Sequence, residues 1–257
     1  MAELNGVPVG PDQLQALALT NYGHFTSMRV EDGRVRGLAL HLARLARDCR
    51  AVFGTELDTD RVRELARRGA PDAGVAVVRV TVFDPALDVV HIGATAEPRV
   101  LVTVRPAGGL PMGPLRARSV EYVRDAPEIK SVGLFGSLRQ RRAAQQAGFD
   151  DALFVDAEGR VSEGGTWNIG FVRGGEVVWP EADCLVGTTM ELVKQVHACS
   201  TVPVALAEVA GFDAAFATNV AFGVRAVSGV DGVELPGSHP VIDLLHGRYM
   251  AIPGDPL

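Results

Sequence analysis

The sequence predicts an α+β protein of two lobes, and three observations support this class. Segments rich in β-branched residues alternate with segments whose apolar residues recur at helical spacing. Residues 106–114 are dense in proline and glycine, which suits neither a helix nor a central strand. A chain of 257 residues is long enough for two cores. We therefore predict an N-terminal α/β domain over 1–106, a linker over 107–114 and a C-terminal domain over 115–257.

The N-terminal domain is predicted to combine strands with one amphipathic helix. In the helix, apolar residues from Leu42 to Phe53 share one face, and Gly54 ends it. Arg44 falls opposite this apolar stripe, so periodicity alone predicts a surface arginine. A turn with a late glycine joins the first strand to the next segment. The predicted strands are 25–30, 75–83 and 99–104.

The larger C-terminal domain is predicted to contain a β-meander, with a barrel-like core, and helices around it. A helix over 131–147 is ended by Gly148. Another helix begins after Gly187. The remaining predicted elements are meander strands at 152–155, 168–172 and 177–179, strands near Ala215 and Val224, and a last helix over 241–249.

The composition argues against several classes of partner. A formal net charge of −6 and a pI near 5.5 disfavour binding to nucleic acid or to an anionic membrane surface. We find no targeting segment and no apolar stretch near the ~18 residues of a membrane helix, so we expect a cytoplasmic protein. Cys49, Cys184 and Cys199 lack metal-ligand spacing, and we predict no metal site.

The chain contains only two lysines, Lys130 and Lys194, among 25 lysine and arginine residues. A guanidinium stays protonated and cannot form a Schiff base, whereas an amine can. Lys194 lies in the middle of a predicted helix, where a solvated side chain is the ordinary interpretation. Lys130 lies where a predicted helix begins, after a proline-containing turn. Rarity alone favours the simpler account, an arginine-biased codon usage that left two lysines by chance.

Two further segments have the composition of binding sites. Gly187, Thr188 and Thr189 enter a helix with two hydroxyls, and the backbone N–H groups of such a helix start favour phosphate. The alternative is structural, because Thr188 and Glu191 have the spacing of a capping box. Glu163 lies among small residues that let a ligand approach the backbone, although by itself it is an ordinary loop carboxylate.

In order along the chain, these segments resemble the fold type IV pyridoxal-phosphate enzymes, the class-IV aminotransferase family. That family includes branched-chain and D-amino-acid aminotransferases and aminodeoxychorismate lyase. The likeness runs from about residue 25 to 227. It is carried by Phe25-Thr26-Ser27, His41-x-x-Arg44-Leu45, Ile129-Lys130-Ser131, Gly148-Phe149-Asp150-Asp151-Ala152-Leu153, Gly159-x-Val161-x-Glu163 with Asn168, Trp179-Pro180 and Leu185-x-Gly187-Thr188-Thr189.

The resemblance implies pyridoxal 5′-phosphate as cofactor and assigns roles to individual residues. Lys130 would form the Schiff base with the cofactor and then move a proton at the substrate α-carbon. Glu163 would pair with the pyridine nitrogen and keep it protonated. The other cofactor-binding residues it implies are Arg44, Asn168, Gly187, Thr188, Thr189, Thr218 and Asn219.

The sequence departs from the family pattern mainly where substrate is expected. Met190 stands where relatives commonly carry arginine, and Val220-Ala221 replaces a hydroxyl-rich run. Residues 81–85 lack the Arg-Gly pair of the D-amino-acid aminotransferase and the lyase, so an arginine that could trap a substrate carboxylate is absent at the expected place. Candidate substrate residues are Tyr22, His24, Thr26 and Arg225, with a turn tyrosine, a strand-start histidine and a structural ion pair as alternatives for Tyr22, His24 and Arg225.

Three functions are consistent with these residues. The first is an aminotransferase that exchanges an amino group between an amino acid or amine and a 2-oxo acid. The second is a lyase of the aminodeoxychorismate type. The third is a degenerate homologue that binds a ligand or partner without turnover, motivated by Met190 and opposed by the retention of Lys130. By the same resemblance we expect a homodimer.

Overall fold

The computed structural model of the chain describes residues 2–110 and 112–257. Pro111, within the predicted linker, lies outside the described residues. The strands are β1 Ala2–Leu4, β2 Val7–Pro8, β3 His24–Glu31, β4 Arg34–Val35, β5 Val75–Phe83, β6 Arg99–Pro106, β7 Leu115–Glu121, β8 Asp151–Val155, β9 Val161–Gly164, β10 Asn168–Arg173, β11 Glu176–Pro180, β12 Cys199–Val202, β13 Ala214–Asn219, β14 Gly223–Val230, β15 Val233–Glu234 and β16 Asp255–Pro256. The α-helices are α1 Pro11–Thr20, α2 Leu38–Phe53, α3 Thr59–Gly69, α4 Phe135–Gln146, α5 Thr188–Val196 and α6 Pro240–Ala251, and Leu206–Gly211 forms a 3₁₀-helix.

The chain divides into two compact units that are not continuous in sequence. The first unit takes in the chain up to Gly108 together with Ile129–Gly133 and Pro253–Leu257, and the second comprises Gly109–Glu128 and Leu134–Ile252. Pairing explains the two insertions, because the 129–133 segment bridges to His24 and β16 pairs with β4. The predicted C-terminal domain, 115–257, contains both of these segments. The predicted division into two independently folding domains stays a prediction.

The first unit is built on an antiparallel sheet in the order β16-β4-β3-β5-β6-β1-β2. Side chains alternate between the two faces of such a sheet. One face carries Met28, Val78 and Val80, which pack with Leu45 of α2 and Leu65 of α3 in one apolar core. The strands predicted over 25–30, 75–83 and 99–104 are confirmed within one or two residues at their ends.

Helix α2 begins four residues before the predicted apolar stripe and ends at Gly54, which has the left-handed φ of 65° that glycine tolerates. Its buried side chains include His41, Arg44 and Asp48 beside the apolar Leu45. The prediction of a surface Arg44 is therefore wrong, since only 7% of this residue is exposed. Periodicity locates the apolar stripe but does not show that a polar stripe next to it is also covered.

The second unit contains a mixed sheet in the order β12-β11-β10-β13-β14-β7-β8-β9, with β15 paired to β14. Its core is apolar and includes Leu153, Ile169 and Phe171. Two predictions need correction here. Glu163 lies in strand β9, not in a loop. The helix predicted over 131–147 starts only at Phe135, because the residues before it extend the edge of β3 in the first unit.

The backbone at Gly23, just before β3, yields a testable prediction. Gly23 has φ +153°, and a Cβ there would lie 2.6 Å from the carbonyl oxygen of Val82. We expect Gly23→Ala to lower the free energy of unfolding by roughly 2 kcal/mol beyond the ~1 kcal/mol cost of an unfavourable φ. Chemical denaturation measures this. Gly33→Ala is the control, since Gly33 has φ +71° but no atom within 4 Å of the added Cβ. Equal losses in both variants would contradict the proposed clash.

Candidate active site

The backbone of Lys130 is held by hydrogen bonds from two elements of the first unit. Phe25 N–H donates to the Lys130 carbonyl at 2.9 Å, and Val132 N–H donates to the Gly23 carbonyl at 2.9 Å. These bonds flank an antiparallel bridge between His24 and Ser131. The Lys130 N–H itself donates to Asp48 Oδ2 at 3.0 Å. The lysine is thus fixed to both β3 and α2.

Asp48 is a fully buried carboxylate with partners on both oxygens. Oδ1 accepts from Nε and Nη2 of Arg47 at 2.9 and 2.7 Å, while Oδ2 accepts the Lys130 N–H. A buried carboxylate is stable only when paired and hydrogen-bonded. Asp48 therefore depends on the position of the lysine segment as much as the segment depends on Asp48. Sequence reasoning missed Asp48, because a charged residue in a predicted helix is ordinarily solvated.

The ring of Phe25 lies near two cations. Lys130 Nζ is 5.0 Å from the ring centroid, and the guanidinium carbon of Arg79 is 3.5 Å from it. Arg79 donates to Thr81 Oγ1 at 3.2 Å, and no acidic side chain of the described residues lies within ion-pair distance of it. Burial lowers the pKa of Arg79, and the charge of Arg105 lowers it further. An arginine in this setting is a candidate ligand for an anionic group.

Sequence reasoning also missed Arg79. The search for a carboxylate-binding arginine considered the end of the strand, at residues 81–85, whereas Arg79 lies within the strand. The sequence feature that could have indicated Arg79 is a single charged residue within a run of valines. Strand alternation and the pairing of Arg79 with Ser27 put it on the face of Phe25, opposite the apolar core.

Thr26, His41 and Arg44 form a buried network on the other face of β3. Arg44 Nη2 donates to Thr26 Oγ1 at 2.6 Å, and this hydroxyl lies 2.7 Å from His41 Nδ1. Because the hydroxyl has one proton and already accepts from arginine, it donates to a neutral His41. Burial lowers the pKa of His41 well below its usual value, and the charges of Arg44 and Lys130 add to this. The Thr26 hydroxyl thus links Arg44 and His41 in the core.

Arg44 retains capacity to bind an anion. Its Nε has no hydrogen-bond partner among the described residues, although the side chain is buried. Burial lowers its pKa to about 10, with Asp48 acting in the opposite direction. A guanidinium at that pKa is fully charged near neutral pH, so an unused donor here suits a phosphate or carboxylate.

Tyr22 and His24, the candidate substrate residues at the start of β3, have different surroundings. The hydroxyl of Tyr22 donates to the Val52 carbonyl at 3.0 Å, and its ring packs edge-on against Phe53. His24 is fully buried, and neither ring nitrogen has a partner in the described part of the chain. Burial lowers the pKa of His24 to about 4, against the opposing charge of Asp48. His24 is therefore neutral near pH 7.

In the second unit, Glu163 is buried and holds two donors. Oε1 accepts from Arg124 Nε at 2.8 Å, and Oε2 accepts from the Leu185 N–H at 3.3 Å. Only 8% of the Glu163 side chain and 14% of the Arg124 side chain are exposed. Because both donors favour the charged carboxylate, Glu163 is arranged to act as an anion. Sequence reasoning did not find Arg124, which lies 39 residues from Glu163.

Asn168 shapes the turn before α5. Its Nδ2 donates to the Leu185 carbonyl at 2.7 Å, and its Oδ1 accepts the Gly187 N–H at 3.1 Å. A Cβ at position 187 would lie 2.3 Å from this Oδ1, so only glycine permits the contact. Asn168 therefore fixes how the chain enters the helix.

The start of α5 has the features of an anion site. The N-cap is Gly187 without a side-chain cap, so the alternative of a Thr188–Glu191 capping box is wrong. The first N–H groups of a helix have no intrahelical partner. The buried hydroxyl of Thr189 and that of Thr218 also lack partners among the described residues. Thr218 pairs with Asn168 across β13 and β10. These hydroxyl and backbone donors fit a phosphate group.

The remaining predicted residues of this unit are engaged by backbone. Asn219 Oδ1 accepts from Ala221 and Phe222 N–H groups at 2.9 and 3.1 Å, which closes the turn after β13. Arg225 donates to the carbonyl oxygens of Gly113 and Pro114. Met190, where relatives commonly have arginine, is buried.

Two kinds of feature are absent from the described residues. No group of three or more histidine, cysteine, aspartate or glutamate side chains there is arranged to hold a metal ion. None of the helices in residues 2–110 and 112–257 has the length and apolar character needed to cross a membrane.

Comparison with known proteins identifies the family. The model of the family described as amino-transferase class IV matches residues 23–230. The chain belongs to the class IV aminotransferases. This membership confirms the family and the cofactor, pyridoxal 5′-phosphate, that the sequence predicts.

Individual relatives agree with this assignment. A probable branched-chain-amino-acid aminotransferase of Synechocystis sp. is 26% identical over 129 residues, which span 48% of this chain and 42% of that protein. The branched-chain amino acid aminotransferase from Escherichia coli has a TM-score of 0.86 at 19% identity, covering 98% of this chain and 93% of the other. The branched-chain aminotransferase from Thermoproteus uzoniensis, with norvaline, has a TM-score of 0.84 at 21% identity and covers 97% and 93%. These similarities confirm the predicted fold class.

The buried His24 predicts how stability of this class IV aminotransferase depends on pH. Its pKa is about 4 in the folded chain and near 6.5 when unfolded, so the unfolded state binds more protons between these values. The free energy of unfolding that depends on a neutral His24 is therefore fully present above pH 6.5. It falls by up to roughly 3 kcal/mol as the pH is lowered toward 4. We expect urea unfolding at several pH values to show a shallower loss over this window for His24→Phe. Parallel curves for both proteins would contradict the assignment. His246→Phe, a more solvent-accessible histidine, is the control.

Proposed function

We propose that the chain is an aminotransferase that moves an amino group between an amino acid or amine and a 2-oxo acid. The observation that carries the proposal is the fixation of Lys130, one of two lysines in the chain, by the carboxylate of Asp48 and the edge of β3. An amine whose backbone is held this firmly can return to one place after each proton transfer.

Bound pyridoxal phosphate supplies an aldehyde for an amine and a ring that accepts electrons from the substrate α-carbon. In our proposal Lys130 provides the amine that binds the aldehyde. The same Nζ would take the proton from the substrate α-carbon and return it. Glu163 would pair with the ring nitrogen and keep that nitrogen protonated.

We infer the phosphate-binding residues from hydrogen-bond donors that have no partner among the described residues. In the second unit, the buried hydroxyls of Thr189 and Thr218 and the N–H groups at the start of α5 are donors that suit a dianion, and we propose that they bind the cofactor phosphate. For Arg44 of the first unit the same role comes from the family resemblance, and its buried Nε lacks a partner among the described residues. Asn168 contributes indirectly, since it fixes the Leu185–Gly187 turn from which α5 begins.

We further propose that Arg79 binds a carboxylate of the substrate. The guanidinium stacks on the Phe25 ring that also lies near Lys130 Nζ, and the charge of Arg105 is close enough to lower the pKa of Arg79. Because no acidic side chain of the described residues forms an ion pair with Arg79, its guanidinium favours an anionic substrate group. Assembly as a homodimer, from the family resemblance, is part of the same proposal and is tested by sedimentation.

The same lysine and carboxylate serve the lyase alternative, in which elimination replaces amino transfer. Products separate the two functions. An aminotransferase converts the bound cofactor to its pyridoxamine form with a suitable amino donor and restores it with a 2-oxo acid. A lyase of the aminodeoxychorismate type releases 4-aminobenzoate and pyruvate without that conversion, and this result would overturn our assignment.

The role of Lys130 is tested by trapping. We expect borohydride treatment of the protein loaded with pyridoxal phosphate to label Lys130, located by peptide mapping. Lys130→Ala should lose activity by roughly 10²- to 10⁴-fold, the contribution of a positioned proton-transfer group. The matched control is Lys194→Ala, whose ammonium interacts with Glu191 on α5 and should leave activity unchanged. Label on Lys194 alone would refute the proposal.

The role of Arg79 is tested by kinetics. We expect Arg79→Leu to raise KM for the carboxylate substrate roughly 10- to 100-fold with a smaller change in kcat, as for loss of a hydrogen bond to a charged group. Arg105→Leu removes a neighbouring cation on β6 and controls for the general loss of positive charge. Equal effects of the two substitutions would indicate a diffuse electrostatic role and contradict direct binding by Arg79.

A further inference from the structure

Arg124 contacts Glu163, the carboxylate that we propose as the partner of the cofactor ring nitrogen. The proposed function gives Arg124 no role. Its Nε donates to Glu163 Oε1 at 2.8 Å, and its Nη2 donates to the Pro127 carbonyl. The carbonyl contact orients the guanidinium, so the Nε–H bond has a defined direction. Arg124 follows β7 by three residues, whereas Glu163 lies in β9.

Glu163 is held by Arg124 on one oxygen and by the Leu185 N–H on the other. A carboxylate has about four lone-pair sites in all, so a ring N–H can be one of several donors to it. The Cys184 thiol beside it is not a competing anion, since burial and the charge of Glu163 raise its pKa to about 11. The cation that forms an ion pair with this carboxylate is Arg124.

When a carboxylate and a pyridine nitrogen share one proton, the proton stays on the nitrogen only if the carboxylate is the weaker base. An adjacent fixed cation makes it weaker, because it stabilises the ionised form. Arginine suits this task better than lysine or histidine, because it remains protonated in proteins.

We propose that Arg124 is a positioning residue whose fixed charge keeps Glu163 ionised and thereby keeps the shared proton on the cofactor ring nitrogen. The inference rests on the proposed function, because it takes Glu163 as the partner of that nitrogen. Arg124 does not touch the reacting atoms. It determines through Glu163 how strongly the ring withdraws electrons.

The test uses pyridoxal phosphate labelled with ¹⁵N in the ring, bound to the full-length protein. The ¹⁵N resonance reports whether the ring nitrogen carries a proton. Glu163→Gln supplies the unprotonated reference. We expect wild type at the protonated position and Arg124→Gln shifted toward the reference, with kcat lowered roughly 10- to 100-fold, since loss of an adjacent opposite charge moves a proton equilibrium by one to three orders of magnitude.

Arg124→Lys separates charge from geometry. It keeps the cation but loses the planar contact with both Glu163 and Pro127, so we expect a resonance close to wild type. If Arg124→Gln does not retain the cofactor, Arg124→Lys alone decides, and an unprotonated resonance in it would overturn the proposal. Arg160→Gln is the matched control, because this exposed arginine of the same unit pairs with Asp156 and should leave both resonance and kcat unchanged.

The possible failures are distinguishable. If Glu163→Gln has the resonance of wild type, then Glu163 is not the partner of the ring nitrogen, and the carboxylate assignment in the proposed function fails. If Glu163→Gln shifts the resonance while Arg124→Gln retains the wild-type position, only the inference about Arg124 is overturned.

Discussion

The hydrogen bond from the Lys130 N–H to Asp48 is the interaction on which the lysine region depends. Taking a carboxylate out of water is costly unless its oxygens are satisfied, and Asp48 is fully buried. Arg47 satisfies one oxygen and the lysine backbone satisfies the other. The bond therefore ties α2 to a segment distant in sequence, and the pairing of that segment with β3 completes the fixation. A buried core carboxylate thus fixes the backbone of the residue that carries the amine.

The same helix shows how a core accommodates function. His41, Arg44 and Asp48 form a polar stripe beside apolar Leu45 and Cys49, and each member has a partner in the first unit. Native interiors leave few polar atoms unsatisfied. Several of those that do occur here, including Arg44 Nε and the hydroxyls of Thr189 and Thr218, belong to residues that the sequence predicts as cofactor-binding. The coincidence has a physical reason, since a group reserved for a ligand cannot also be used by the fold.

Elements with strong periodicity could be predicted from the sequence, and those with weak or charged patterns could not. The valine-rich strand β5 and the glycine-ended helix α2 were predicted because their apolar residues alone define them. Helix α3 was missed, because charged residues outnumber the three buried side chains that hold it. The start of α4 was misplaced because residues 131–133 are determined by pairing with β3, and long-range pairing leaves no local pattern.

The residues of the candidate site also differ in whether a local sequence pattern reveals them. Lys130, Glu163 and the Gly187–Thr189 turn could be recognised because their order along the chain resembles a family. Asp48 and Arg124 could not, because each acts on a residue far away in sequence, across 82 and 39 positions respectively. Their partners are a backbone N–H and another side chain, and neither leaves a local motif. A resemblance to a family identifies the groups that carry out the chemistry. The charged residues that position those groups can be recognised only in the folded structure, where distant segments come together.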